Sequence, residues 1–179
     1  MINIRFSHHT NTRHKLLLLF VVALLGACSS TSPYSKPGSS QPSVVDSRPD
    51  NSSDARDRNL KNTVVMAALN QVGTPYKYGG SSPATGFDCS GLVQYSHSQA
   101  GLSVPRTTRK QMQFFSKVNK RDLRAGDLVF FQTGRNQYHV AIMLNQNEFV
   151  HAPSSGKTVS TSSFSNPYWK ANFIKAGRL

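Results

Sequence analysis

A chain of 179 residues is the size of one domain with extensions, since domain lengths centre on roughly 100–150 residues. Lysine and arginine number 21 against 8 acids, a net charge of +13 that points to an anionic partner of some kind. The two cysteines, Cys28 and Cys89, could form one disulfide, but a cysteine-stapled scaffold and a four-thiolate metal site are excluded by count.

Residues 1–27 carry Arg5, Arg13 and Lys15, no acid, and then an apolar run from Leu16 to Leu25. The run is shorter than the ~20 residues that span a hydrocarbon core, so it reads as a secretory signal peptide rather than a membrane anchor. Leu25-Gly26-Ala27-Cys28 resembles the bacterial lipobox. That resemblance implies cleavage before Cys28, a diacylglyceryl thioether on its sulfur and an N-acyl chain, which together hold the protein on a membrane. The alternative is an ordinary secretory signal ending near Ala27. Ser29 stands where an aspartate is associated with retention at the inner membrane, which favours the periplasmic face of the outer membrane.

Residues 28–59 are rich in Ser, Pro, Asp and Asn, with Val44-Val45 the one apolar pair. Such a stretch cannot bury enough surface to offset its ordering entropy, so it reads as a disordered tether behind the lipidated cysteine. Its four bases balance its four acids, whereas residues 60–179 hold 14 bases against Asp88, Asp122, Asp127 and Glu148, a net +10. The folded domain is therefore the basic part. An exported chain does not routinely meet nucleic acid; peptidoglycan, whose stem peptides bear free carboxylates, is the polyanion in that compartment.

Leu60, Val64, Ala67, Ala68 and Val72 form an approximate helical stripe over about 59–72, stopped by Gly73-Thr74-Pro75. A loop through Gly79-Gly80 and Thr85-Gly86 then delivers Asp88-Cys89-Ser90-Gly91 to the start of a second helix ending near Gly101. A third helix is predicted at about 107–115. Beyond Gly126 the pattern turns to β, with runs 128–131, 138–144 and 148–152 separated by the turn clusters 134–136 and 145–147, and further strands at 157–159 and 173–175. Helices followed by an antiparallel meander give an α+β order.

A thiol acts as nucleophile in its thiolate form, and a helix N-terminus and a nearby histidine lower its pKa. Cys89 has both available. Only His97, His139 and His151 remain once the signal is removed, and the last two fall on adjacent predicted strands joined by a tight turn, near one another across the ladder. They could supply a base and the group that orients it. On spacing alone the alternative stands open: a buried cysteine with unrelated histidines. His97, with no partner suggested, reads as structural or surface. A zinc site lacks ligand-pair spacing.

Five ordered blocks carry the reading further: Pro75-Tyr76-Lys77-Tyr78-Gly79-Gly80, Gly86-Phe87-Asp88-Cys89-Ser90-Gly91-Leu92-Val93, Arg124-Ala125-Gly126-Asp127-Leu128-Val129-Phe130-Phe131, His139-Val140-Ala141-Ile142 and Phe149-Val150-His151-Ala152, with Pro167-Tyr168-Trp169 after them. Over about residues 60–179 they resemble the NlpC family of papain-like cell-wall cysteine peptidases, and among these the small lipoproteins of Gram-negative bacteria. The resemblance implies a papain-like fold with N-terminal helices packed on an antiparallel sheet. It implies Cys89 as nucleophile, His139 as general base and then acid, and His151 as the residue that orients the imidazole.

Tyr76 matches a tyrosine at the active site, or else fills the core. Asp88 and Ser90 match positions flanking the nucleophile that help bind substrate, or else are an N-cap and a first-turn residue. The Cys89 amide would contribute to the oxyanion hole. Arg106 faces the substrate's carboxylates or the solvent. Ala141, where relatives commonly have glycine, narrows the adjacent cleft slightly.

The function this implies is a monomeric murein endopeptidase that needs no cofactor or metal and cleaves peptidoglycan stem-peptide or cross-link bonds involving diaminopimelate. The alternatives are a non-catalytic murein-binding lipoprotein, and an acyltransferase of the same superfamily.

Overall fold

The computed structural model describes residues 51–179 of the chain. The signal peptide, Cys28 and residues 28–50 of the expected tether lie outside the described residues.

The first helix, α1, spans Asn51–Leu69. It begins eight residues earlier than the apolar stripe predicts, so the last nine residues of the expected tether are helical. Asp54 in the first turn suits the positive end of the helix, and an Asp57–Lys61 pair one turn apart supports a stretch with almost no apolar side chains. At the other end Val64 and Ala68 are buried while Val72 lies beyond the helix, half exposed.

A short hairpin of β1 (Ser81–Ser82) and β2 (Gly86–Phe87) leads into α2 (Cys89–Gln99), and α3 (Thr108–Phe114) follows. The remaining strands are β3 (Ser116–Val118), β4 (Leu128–Gly134), β5 (Gln137–Met143), β6 (Glu148–His151), β7 (Ser160–Ser163) and β8 (Phe173–Arg178), with the short helix α4 (Pro167–Asn172) before the last. Six of them form one sheet in the order β3-β8-β4-β5-β6-β7, antiparallel throughout. The strand predicted at 157–159 forms three residues later, as Ser160–Ser163. Thr158 makes only an isolated bridge to Pro75.

Strands β4 and β5 are buried on both faces, which is why they read as continuous apolar runs rather than alternating ones. Phe130, Val140, Ile142 and Val150 share one core with Val64 and Ala68 of α1 and Leu92 and Val93 of α2. Phe131, Ala141, Met143 and Phe149 belong to a second core with Phe164 and with Trp169 of α4. The block Arg124-Ala125-Gly126-Asp127 closes the sheet. Buried Asp127 accepts from Arg178 Nε at 2.6 Å, from Arg178 Nη2 at 2.7 Å and from the Arg124 amide at 2.8 Å, tying the entry of β4 to the last strand.

Candidate active site

Cys89 is the first residue of α2, where unsatisfied amides and the helix dipole favour negative charge. Asp88 caps that helix, its Oδ1 accepting from the Gly91 amide at 2.6 Å. The Gly80 loop backs directly onto the first turn, its carbonyl accepting from the Asp88 amide at 3.0 Å. A methyl group at position 91 would sit 2.0 Å from that carbonyl and 3.1 Å from Asp88 Oδ1, so only glycine fits there.

Asp88 has no bonding capacity left over. Arg106 clasps both carboxylate oxygens, Nη1 to Oδ1 at 2.9 Å and Nη2 to Oδ2 at 2.7 Å, and the Gly79 amide donates to Oδ2. Ser90 Oγ donates to Asp88 and accepts from Arg106 at 2.9 Å. Burial alone would raise the Asp88 carboxyl; hydrogen bonds from Arg106 first, then from the Gly91 amide and Ser90, leave it below the usual carboxylate range. Asp88, Ser90 and Arg106 are thus a bracket that fixes the loop and helix start around the cysteine.

His139 lies on β5 and His151 on β6, both on the face of the second core. The register pairs Ile142 with Val150 and Met143 with Phe149. One step further along it His151 opposes Ala141, which makes His139 its diagonal neighbour on the same face. His139 Nε2 and His151 Nδ1 are 2.9 Å apart. Trp169 stacks on the His139 ring with centroids 5.4 Å apart and meets the His151 ring edge-on at 4.9 Å. Ala141 is buried in that aromatic core, so its methyl packs inside the sheet rather than narrowing an open cleft.

Helix α2, which carries Cys89, packs against β5, which carries His139, and the Val140 amide contributes to the surroundings of the thiol. Thr108 Oγ1 is 3.5 Å from the same sulfur. Burial pushes the thiol up, while Thr108 and the amides of Val140 and Ser90 oppose that shift, and the net direction is upward. Helix and histidine alone predict the opposite direction, and desolvation outweighs them. Burial, and then the neighbouring charge of His151, lowers His139 to about 3, and burial lowers His151 to about 4. The resting site therefore holds a neutral thiol and neutral imidazoles. Half-buried Tyr76 faces this ensemble, its hydroxyl pushed up by burial first and then by Cys89 and Asp88.

His97 is not part of the site. It is buried in α2, its Nδ1–H donating to the Val93 carbonyl at 2.8 Å and its ring edge-on to Phe115. Three contributors to the site are invisible in sequence spacing: Thr108, Trp169 and Gln111. Gln111 Nε2 donates to the carbonyls of Ser90 at 3.0 Å and Pro105 at 2.8 Å, tying α3 to the residue after the cysteine. Trp169 is the one tryptophan in the chain and belongs to the Pro167-Tyr168-Trp169 block of the resemblance, but neither signal assigns it a place on the two imidazoles.

The fold is a mixed helix and antiparallel-sheet domain with Cys89 at the start of α2 and the His139–His151 pair on β5 and β6. The NlpC/P60 family model matches residues 73–178. The bifunctional muramidase/DL-endopeptidase CwlT of Bacillus subtilis is 39% identical over 120 residues, 65% of this chain and 36% of that protein. The murein DD-endopeptidase MepS/murein LD-carboxypeptidase of Escherichia coli is 34% identical over 167 residues, 89% of this chain and 88% of that protein. The solved peptidoglycan hydrolase RipB of Mycobacterium tuberculosis superposes with a TM-score of 0.61 at 31% identity, covering 69% of this chain and 66% of that one. The chain belongs to the NlpC/P60 family.

Proposed function

We propose that this protein is a murein hydrolase, a cysteine endopeptidase acting on peptidoglycan stem-peptide or cross-link bonds that involve diaminopimelate. The observation that carries the reading is Cys89 at the start of α2, beside the strand that bears His139, with His139 bonded to His151 at 2.9 Å in an NlpC/P60 chain. The names of its relatives, murein endopeptidases and a peptidoglycan hydrolase, support the substrate class. The domain's net +10 suits an anionic wall polymer.

A base role for His139 requires one tautomer of this pair. With Nε2–H donating to His151 Nδ1, His139 keeps a lone pair on Nδ1 and can act as base there. The reverse direction would leave Nδ1 protonated and unable to accept. Because thiol and imidazole rest neutral, the proton passes from Sγ to His139 Nδ1 as sulfur attacks the peptide carbonyl. The carbonyl oxygen takes the developing negative charge and is met by the Cys89 backbone N–H. His139 then returns its proton to the leaving amine, and a water deprotonated by the same nitrogen hydrolyses the thioester. His151 holds the ring in plane and accepts through Nδ1 throughout. The Trp169 indole, stacked on His139 and edge-on to His151, keeps water from competing for that bond.

The place of action is the periplasmic face of the outer membrane, reached through lipid on Cys28, a reading supported by Leu25-Gly26-Ala27-Cys28 and Ser29. Incubation of the purified protein with muropeptides, parent beside Cys89→Ala, tests the activity. New fragments from the parent alone are the expected result; none from the parent overturns the peptidase reading, and fragments from the variant overturn the choice of nucleophile.

A further inference from the structure

Three basic side chains of the described residues have a carboxylate partner: Lys61 with Asp57, Arg106 with Asp88, and Arg178 with Asp127. Arg109 is restrained in a different way. Its guanidinium lies over the Tyr138 ring, 4.7 Å from the centroid, and Nη2 donates to the Asn136 carbonyl at 3.4 Å. No ion pair among the described residues includes it, and the residue is exposed. An exposed arginine ordinarily samples many rotamers, so a stacked and tethered one has already given up part of the entropy that ligand binding would cost. Most of its donor fork stays free, in the planar geometry that matches a carboxylate.

The chain fixes where that fork stands. Arg109 follows Thr108, whose hydroxyl is 3.5 Å from the Cys89 sulfur, and Tyr138 precedes His139. Arg109 is thus the neighbour in sequence of the residue beside the sulfur, and its guanidinium rests on the neighbour in sequence of His139. One residue step and the length of an arginine side chain put the fork on the order of 10 Å from the thiol, two or three residues of extended peptide.

We propose that Arg109 anchors a free carboxylate of the substrate peptide within two or three residues of the scissile carbonyl, and so selects stem peptides with unblocked acids over amidated ones. This specificity role rests on the murein-peptidase reading above, and Arg109 takes no part in the chemical step.

The test has two arms on the full-length protein. In the first, KM and kcat are measured for muropeptides with free carboxylates and for the same muropeptides amidated. Arg109→Gln raises KM about tenfold on the free acids, the value of one charge-assisted hydrogen bond, leaves kcat within twofold, and changes KM less than twofold on the amides. An equal change on both substrates, or none, overturns the proposal.

The second arm does not need murein cleavage. Alkylation of Cys89, followed by mass on the peptide that carries it, is timed with iodoacetate and with iodoacetamide; in both the thiolate displaces iodide, but only the first reagent is an anion. The iodoacetate-to-iodoacetamide rate ratio falls about threefold in Arg109→Gln and stays near the parent value in Lys117→Gln, which removes a charge from β3 at the sheet edge. An unchanged ratio in Arg109→Gln, or an equal fall in both variants, overturns the proposal. If the parent cleaves no muropeptide, the peptidase reading fails and the alkylation ratio still decides the role of Arg109.

Discussion

Acid should unfold this domain through its buried imidazoles. In the unfolded chain His139 and His151 titrate near 6.5, whereas burial lowers them to about 3 and about 4 in the fold. The unfolded state therefore binds more protons throughout the window between, and stability present above pH 6.5 is lost as pH falls toward 4. Each histidine contributes a slope of up to ~1.4 kcal/mol per pH unit, so the pair gives up to ~2.7 kcal/mol per unit. Buried His97, also lowered by burial, adds in the same direction. Against a domain stability of about 5–15 kcal/mol, one or two pH units consume much of the margin. Urea unfolding at pH 7, 6 and 5 measures it. The reporter is built in, because the one tryptophan of the chain packs against both rings. His151→Gln, which keeps an acceptor for His139 but takes up no proton, should lose about one proton's worth of slope. A flat stability between pH 7 and pH 5, or a slope unaltered by His151→Gln, would refute the neutral buried pair.

A neutral resting thiol also sets the alkylation profile of Cys89: the iodoacetamide rate should climb with pH beyond the ordinary thiol range, with no plateau below pH 7. Thr108→Val, which removes the hydroxyl 3.5 Å from the sulfur, moves that profile further up, and a low-pH plateau would instead indicate a standing thiolate. Gly91→Ala forces a methyl against the Gly80 carbonyl and should cost about 3 kcal/mol by thermal or urea unfolding; a stability within about 0.5 kcal/mol of the parent, the scatter of neutral substitutions, would contradict the close approach. Asp127→Ala strands Arg178, and because Arg178 keeps a quarter of its side chain in water the loss should be about 2 kcal/mol rather than the ~3–5 kcal/mol of a fully buried pair. Unfolding midpoints check it.

The parts of the fold legible in sequence are those whose burial is written in their own residues. Leu128–Phe131 and Val140–Met143 are apolar without a break because both faces of the sheet are covered. The start of α2 is legible because Asp88 is a capping residue. Residues 51–58 carry no apolar stripe, so their helix rests on charge placement that period alone does not reveal. Strand β7 is Ser-Thr-Ser-Ser, a strand only because β6 offers a ladder to pair with. At the site, Cys89, His139 and His151 are legible from side-chain chemistry and hairpin logic. Thr108 and Trp169 reach it through tertiary contacts across 19 and 30 residues, which no local pattern encodes. Arg106, read from the sequence as facing the substrate's carboxylates or the solvent, instead clasps Asp88, a pairing that emerges only when the Gly80 loop folds back on α2.

The central claim is that sulfur on Cys89, driven by His139, opens a peptide bond in murein. Its most direct test is mass spectrometry of muropeptides incubated with the parent protein, with Cys89→Ala and with His139→Ala. The account predicts fragments with a newly freed amine on diaminopimelate from the parent and none from either variant. Intact muropeptides with the parent, or the same fragments from Cys89→Ala, would contradict it.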